Sequence, residues 1–292
     1  MARVLVLGAS GMLGNAVIDV FNQDSSYDVW GTLRSASALR YFPEEQRAQL
    51  LVGVDVLDQD ALVRALDMVR PDVVINCVGL IKQLADAQDP LSTLPVNAMF
   101  PHRLARLCGL AGIRVIHVST DCVFSGRTGS YTETDPSDAE DLYGKSKFIG
   151  ELHDLKHAIT LRTSIIGHEL NSNFALVDWF LSQTGGVRGY AKAIFSGLPT
   201  VELASVIKDC VLTHPELHGL YHVAAAPITK FELLCLISSK YKKTIDIVPD
   251  ERLVIDRSLN CERFRQATGY VAPAWPELIE KMFDGSNRRS AR

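Results

Sequence analysis

The sequence predicts an α/β fold built on a doubly wound parallel sheet. Short apolar runs recur along the first half of the chain, each is followed by a stretch long enough for a helix, and a glycine-rich turn follows the first run. Parallel strands need a crossover connection, usually a helix, so this alternation favours parallel over antiparallel pairing. The 292 residues, 47% of them hydrophobic, are enough to bury a large core.

Six apolar runs supply the predicted strands, and most are rich in β-branched or aliphatic residues. Each run is strand-sized, and each is separated from the next by a polar or helix-forming stretch. The runs are Arg3–Leu7, Asp28–Leu33, Leu51–Val54, Val73–Asn76, Val115–Ser119 and Ile159–Thr163.

The alternation ends beyond Ile165, which suggests a second region of the chain. Aromatic, glycine and polar residues mix until Thr200, and helical periodicity returns over Val201–Thr213. We therefore predict a sheet domain over residues 1–165, to which segments near 200–225 return. A smaller region over 166–286 would cover the carboxyl edge of the sheet, where ligands bind in such folds, and 287–292 would form a flexible polar tail.

Charge and composition narrow the functional classes. The formal net charge is -4 and the pI is near 6.1, so nucleic acid is not an expected partner. The apolar runs are too short to cross a membrane and no secretory leader is evident, so we expect a cytoplasmic protein without a membrane partner. Six widely spaced cysteines without metal-ligand spacing predict reduced thiols and no metal site.

A glycine-rich turn joins the first predicted strand to the first helix in the sequence G-A-S-G-M-L-G. Glycines allow a tight turn and let the backbone approach a phosphate, which the helix amides and the positive end of the helix stabilise. In this strand–turn–helix context the pattern predicts a Rossmann-type dinucleotide site. Its residues are Gly8, Ser10, Gly11, Met12, Leu13 and Gly14.

The end of the second strand indicates which dinucleotide is bound. An acidic residue there would hold the ribose 2'-hydroxyl of NAD, but this chain has Arg34 and Ser35. A guanidinium matches a 2'-phosphate, with Ser35 and Arg40 as helpers, so NADPH is the predicted cofactor and NADH the alternative. Asp55 and Val56, after the third strand, are placed to meet the adenine.

A tyrosine and a lysine supply the candidate proton-transfer chemistry. Tyr143 and Lys147 lie four residues apart in Y-G-K-S-K, and therefore on one face of a predicted helix. Ser119, Thr120 and Asp121 close the fifth strand at the ligand edge. Tyrosine would protonate a carbonyl oxygen, lysine would lower the pKa of the phenol, and a hydroxyl would hold the oxygen. Thr120, Tyr143 and Lys147 are the predicted catalytic set, and the last two also contact the cofactor.

Together these stretches resemble the extended short-chain dehydrogenase/reductase superfamily and, within it, the dTDP-4-dehydrorhamnose reductase family. The resemblance spans roughly the first 165 residues, with weaker echoes over 219–223 and 256–260. The matching stretches are Gly8–Gly14, Asn76–Gly79, Val96–Asn97, Ser119–Gly126, Tyr143–Lys147, Gly150–Glu151 and Leu161–Ser164.

The resemblance implies reduction by NADPH of the C4 keto group of a nucleotide-diphosphate-linked 4-keto-6-deoxy sugar, in deoxysugar and polysaccharide biosynthesis. It implies that Cys77, Val78 and Gly79 line the cofactor site and that Asn97 supports Lys147 through water. A homodimer is left open. Substrate contacts are expected from Asp121, Cys122, Asn173, Phe174, Trp179 and Arg257.

Two departures from the family pattern leave the substrate open. Cys122 follows S-T-D where the family commonly has an aromatic residue, and Ile165 replaces an aromatic after R-T-S. Cys122 also resembles the acid/base cysteine of GDP-fucose synthases, so an epimerase-reductase is one alternative. A non-catalytic NADP-binding regulatory subunit is the other, because the regulatory subunit of methionine adenosyltransferase resembles the same family.

Overall fold

The computed structural model describes residues 1–81 and 88–290, with side chains to residue 287. The strands, in chain order, are β1 (Ala2–Leu7), β2 (Tyr27–Leu33), β3 (Leu50–Val52), β4 (Val73–Asn76), β5 (Arg114–Thr120), β6 (Ala158–Thr163), β7 (Ile165–Ile166), β8 (Val187–Tyr190), β9 (Ala193–Phe195), β10 (Leu198–Pro199), β11 (Gly219–His222), β12 (Ile228–Thr229), β13 (Ile247–Asp250) and β14 (Ile255–Asp256).

The helices lie between these strands and continue to the end of the described chain. Short π-helical turns over Leu94–Met99 and Ile207–Val211 follow α4 and α8. The α-helices are α1 (Met12–Phe21), α2 (Glu44–Arg47), α3 (Gln59–Val69), α4 (Pro90–Thr93), α5 (Phe100–Leu110), α6 (Leu142–Ile149), α7 (Leu176–Ser182), α8 (Thr200–Val206), α9 (Lys230–Lys240), α10 (Glu262–Thr268) and α11 (Trp275–Ser290).

Seven parallel strands form the central sheet in the order β11-β6-β5-β4-β1-β2-β3. The order reverses at β1, where Val4 lies opposite Val29 of β2 and Val73 of β4. In open α/β sheets, ligands bind at the carboxyl ends of the strands beside such a reversal. The predicted Rossmann-type fold is confirmed.

Each of the six predicted runs overlaps a strand of this sheet. The third strand, β3, is shorter than predicted because Gly53 turns the chain with φ +80° directly after Val52. Side chains alternate between the two faces of β1: Val4 and Val6 pack in one buried cluster and Leu5 and Leu7 in another. Both faces of the sheet are therefore covered by apolar side chains.

The later part of the chain returns to the sheet before it leaves again. Strand β11 pairs in parallel with β6, with Tyr221 opposite Leu161, and α8 packs against α1. Small sheets outside the central one contain β7 with β10, β8 with β13, and β9 between β12 and β14. Strand β11 and helix α8 thus lie against elements of the first half of the chain, while the predicted domain boundaries and the substrate-binding role of 166–286 stay predictions.

The C-terminal helix differs from the flexible tail predicted over 287–292. Helix α11 continues to Ser290, because its buried residues Trp275, Leu278 and Met282 anchor it to the core and the polar residues that follow extend the same helix. Residues 291–292 lie outside the described part of the chain. Across the described residues, no helix combines the length and the apolar character needed to cross a bilayer.

Candidate active site

The glycine turn after β1 forms a cradle in which there is no room for a side chain at Gly14. Gly8 has φ +80°, and its amide donates to Thr32 Oγ1 at 3.1 Å. A Cβ atom on Gly14 would lie 2.1 Å from the Gly8 carbonyl oxygen, so helix α1 can approach the turn only with glycine at this position. Helix α1 therefore begins close to the carboxyl end of β1, where the amides of its first turn would meet a pyrophosphate.

The residues predicted to choose the cofactor follow β2 and β3. Arg34 and Ser35 are exposed directly after β2, and Ser35 Oγ accepts a hydrogen bond from Ser37 N at 3.3 Å. The guanidinium of Arg40, by contrast, donates to Tyr41 Oη at 2.6 Å, so the tyrosine already occupies one of its donors. The side chain of Asp55 is exposed and accepts from Leu57 N at 2.9 Å.

The loop after β4 brings Cys77, Val78 and Gly79 beside the active-site lysine. A Cβ atom on Gly79 would lie 3.9 Å from Lys147 Nζ and 3.4 Å from Asn97 Oδ1. A methyl group on Gly8 would likewise contact Val78 at 3.0 Å, so this loop packs directly against the glycine turn. The predicted cofactor residues of β1 and β4 therefore lie together.

Asn97, in the π-helical turn after α4, is buried and ties this loop to α6. Its Oδ1 accepts from Leu80 N at 2.9 Å, and its Nδ2 donates to Leu80 O at 3.0 Å and to Ser146 Oγ at 3.3 Å. The side chain thus fixes the loop beside Lys147. The predicted support of Lys147 through water stays a prediction.

Helix α6 carries Tyr143 and Lys147 to the end of β5. The side chain of Asp141 caps its N-terminus by accepting from Gly144 N at 2.8 Å, and a Cβ on Gly144 would lie 2.2 Å from Cys122 O. Lys147 Nζ donates to Val118 O of β5 at 2.8 Å. The cap and this close approach place the tyrosine and the lysine beside the strand end that carries Thr120.

The pKa of the Tyr143 phenol is raised above its ordinary value, and not lowered as predicted. Burial is the main cause and the neighbouring Cys122 and Asp121 add to it, whereas a hydrogen bond with Thr120 opposes it. Burial also lowers the pKa of Lys147 to about 8. At neutral pH the phenol therefore holds the proton that a general acid must donate.

Charged groups from the C-terminal region face the end of β5. Arg257 Nε donates to Phe124 O at 2.8 Å, and Nη1 lies 3.7 Å from Cys122 Sγ. Burial raises the pKa of Asp121, while the charges of Arg257 and Lys230 oppose that rise. Arg257 therefore lies near the end of β5, where it was expected. Lys230, at the start of α9, also lies near this site but was not predicted from the sequence.

The thiol of Cys122 is protonated under ordinary conditions. Burial, followed by the charge of Asp121, raises its pKa to about 12. A thiolate base is the form that an epimerase step requires, so this environment counts against the epimerase-reductase alternative.

Three of the predicted substrate residues lie in the segment around α7. Phe174 and Trp179 are 58% and 36% exposed, and Asn173 is exposed too. The role of these three side chains in binding a substrate stays a prediction.

A buried ionic network next to β5 was not predicted from the sequence. The carboxylate of Glu151 accepts from Ser119 Oγ at 2.7 Å and forms two hydrogen bonds of 2.7 Å with Arg162. Arg162 Nη1 lies 3.1 Å from His222 Nε2, and His222 Nδ1 lies 3.0 Å from Tyr131 O. The one available signal was that Glu151 and Arg162 both fall in stretches that resemble the reductase family.

In the described part of the chain, no three His, Cys, Asp or Glu residues are grouped so that they could hold a metal ion.

The fold and site define a Rossmann-type α/β protein with a tyrosine–lysine pair at the carboxyl edge of its sheet. The chain belongs to the family of the RmlD substrate binding domain, whose model matches residues 2–287. The predicted family resemblance is thereby confirmed.

Two curated relatives of this chain are proteins of two different kinds. Methionine adenosyltransferase 2 subunit beta of Danio rerio is 28% identical over 251 residues, which cover 82% of this chain and 74% of that protein. The dTDP-4-dehydrorhamnose reductase of Aggregatibacter actinomycetemcomitans is 27% identical over 262 residues, which cover 85% and 83%. A solved dTDP-4-dehydrorhamnose reductase from Bacillus anthracis, in complex with NADP, has the same fold with a TM-score of 0.78 and 22% identity, covering 97% of this chain and 98% of that one.

Proposed function

We propose that this protein uses NADPH to reduce the C4 keto group of a nucleotide-diphosphate-linked 4-keto-6-deoxy sugar. The observation that carries the proposal is the meeting of Thr120, Tyr143 and Lys147 at the sheet edge that faces the glycine turn. The dTDP-4-dehydrorhamnose reductases among its relatives support the reaction and the substrate class.

The residues present fit a dinucleotide. Gly8 and Gly14 place no side chain in the turn, and the first turn of α1 supplies amides that can bind a phosphate. Arg34 is exposed where a 2'-phosphate would lie. Gly79 keeps the space beside Lys147 open. When bound, NADPH would supply the hydride that adds to the keto carbon.

The chain's own residues supply the proton. Tyr143 Oη donates its proton to the keto oxygen as the carbon accepts the hydride, and the Thr120 hydroxyl donates a hydrogen bond to the same oxygen. The ammonium of Lys147 stabilises the phenolate that forms, which takes a proton from solvent before the next turnover. Reduction thus consumes one hydride and one proton and yields the alcohol.

The charge near the site supports an anionic substrate. Arg257 and Lys230 both act on Asp121, so two cationic side chains approach the end of β5 from the C-terminal region. A diphosphate group is the part of the proposed substrate that such cations attract.

The test is NADPH oxidation, followed by nicotinamide absorbance, against dTDP-, UDP- and GDP-linked 4-keto-6-deoxy sugars, with Tyr143→Phe beside the wild type. We expect one sugar to be reduced and the variant to lose at least about 100-fold in kcat while it still binds NADPH, because only the proton donor is removed. Full activity in Tyr143→Phe would contradict the assigned role.

A regulatory subunit is the second candidate, and the likeness to methionine adenosyltransferase 2 subunit beta favours it. Such a protein would bind NADP(H) and act by association with another enzyme. Co-purification with a partner, together with no oxidation of NADPH by any sugar in the panel, would support this function over the reductase.

A further inference from the structure

We propose that Glu151 is a positioning residue for the active site: its buried carboxylate, held by Arg162 and Ser119, keeps the ammonium of Lys147 charged beside Tyr143. The inference rests on the proposed reductase function, since it gives Lys147 a charge that the proton transfer needs. It adds a residue beyond the tyrosine, lysine and threonine that handle the substrate.

The geometry fixes the carboxylate behind the catalytic strand. The side chains of Glu151 and Arg162 are 0% and 1% exposed, so both charges are removed from water. Glu151 is anchored on Ser119 of β5, and Lys147 Nζ is anchored on the carbonyl of the preceding residue, Val118. Neighbouring positions of one strand therefore hold the carboxylate and the ammonium.

Among the described residues whose charge acts on Lys147, Glu151 is the one that is negatively charged. The thiol of Cys77, at the end of β4, has a pKa raised by burial to about 12 and is neutral. His117, from β5, has a pKa held well below its ordinary value by burial and by the charge of Lys147. Tyr143, one helical turn earlier, also keeps its proton. The Glu151 charge raises the pKa of Lys147 against the effect of burial.

The partners of Glu151 keep it ionised. Burial alone would raise the pKa of this carboxyl group, but hydrogen bonds from His153, Arg162 and Ser119 outweigh it and the pKa is lowered. Arg162 is itself held by His222 and lies over the ring of Phe124, at 4.9 Å from its centroid. The carboxylate therefore has a fixed place and a fixed charge throughout the neutral range.

Two substitutions of Glu151 separate an electrostatic role from a structural one. Glu151→Gln keeps the shape but removes the negative charge, so the pKa of Lys147 should fall. Glu151→Asp shortens the side chain and disturbs the same hydrogen bonds but keeps a negative charge, so the pKa of Lys147 should stay close to its wild-type value. A merely structural role would give the same change in both variants, because both disturb the hydrogen bonds to Ser119 and Arg162.

The experiment measures the pH dependence of kcat/KM and, in parallel, an NMR titration of the Lys147 side chain, assigned with Lys147→Met. We expect the basic limb of the Glu151→Gln profile and the NMR midpoint to move down by about one pH unit, and those of Glu151→Asp to stay near the wild-type position. The matched control is Glu202→Gln. Glu202 is a buried residue of α8 whose carboxylate accepts hydrogen bonds from Tyr270 and Lys281, so its loss should lower stability and leave the pKa of Lys147 unchanged.

Equal shifts in Glu151→Gln and Glu151→Asp, or no shift in either, would overturn the proposal. If a single variant does not fold, the double variant Glu151→Leu with Arg162→Leu removes both charges together, which buried pairs often tolerate, and the NMR midpoint should still fall. The NMR titration needs no turnover. An enzyme that reduces no sugar but shows the expected shift would therefore refute the reductase function and leave the effect of Glu151 on Lys147 intact.

Discussion

We propose that single side chains at the carboxyl edge of the sheet decide which cofactor the site accepts. Arg34 is exposed at the end of β2, where other dinucleotide sites place an acid for the ribose of NAD. A planar guanidinium binds a phosphate through two hydrogen bonds and repels no part of NADPH. Its nearest basic neighbour in sequence, Arg40, already donates one hydrogen bond to Tyr41, so we predict that Arg34 supplies most of this recognition.

Replacing this residue separates the two cofactors. Arg34→Ala should weaken NADPH about 10- to 100-fold and leave NADH nearly unchanged, because a charge-assisted hydrogen bond contributes about 1.5–3 kcal/mol and only NADPH carries the 2'-phosphate. Fluorescence titration of both nucleotides measures the effect, with Arg40→Ala as the comparison. Equal losses for the two nucleotides would contradict the cofactor assignment.

Among the elements, the turn between β1 and α1 has the tightest geometry of the site. Gly14 faces a backbone oxygen of Gly8, which cannot move without distorting the strand end. The approach of α1 to β1, and with it the direction of the helix amides, therefore depends on a missing side chain.

A methyl group at this position should disturb the whole turn. We expect Gly14→Ala to lower the free energy of unfolding by about 1–3 kcal/mol and to weaken NADPH binding by more than about 10-fold, because the helix must shift away from the strand. Gly185→Ala is the control, since a Cβ there meets nothing within 4 Å. Urea unfolding and nucleotide titration give the two readouts, and normal NADPH binding by Gly14→Ala would argue against the cradle.

Elements with local sequence signals could be predicted, while contacts between distant elements could not. The strands and the glycine turn follow from short-range periodicity, and Tyr143 and Lys147 from their spacing on one helix. The pair of Glu151 with Arg162, and the approach of Lys230 to Asp121, depend on how β6 and α9 are packed, which no local pattern encodes. The raised pKa of Tyr143 was missed for the same reason, since burial is a property of the assembled fold.

Across the whole molecule, neutral buried histidines make stability depend on pH. Burial, with the neighbouring charge of Arg162, lowers the pKa of His222 from 6.5 to about 4, and His117 shifts in the same direction. Between these values the unfolded chain binds a proton that the folded chain refuses. Stability from such a group is therefore present above pH 6.5 and is lost as the pH falls towards the folded pKa.

We expect the free energy of unfolding to fall by about 1.4 kcal/mol per pH unit for each such histidine below pH 6.5. Urea unfolding at pH 7 and pH 5 measures the slope. His222→Gln should reduce the slope, whatever it does to stability at neutral pH, because one of the two groups no longer titrates. His218→Gln, at an exposed position, is the control, and an unchanged slope in His222→Gln would contradict the prediction.

The outer strand of the sheet also affects how the protein is made. Strand β6 pairs on one side with β5 and on the other with β11, which follows it by more than fifty residues. A ribosome that has released only the first 165 residues holds a nascent sheet whose β6 edge is open to pairing with other chains. Once Gly219–His222 has left the exit tunnel it can pair with β6 and cover that edge, so we expect slow translation of the intervening segment to favour aggregation and rapid translation to suppress it.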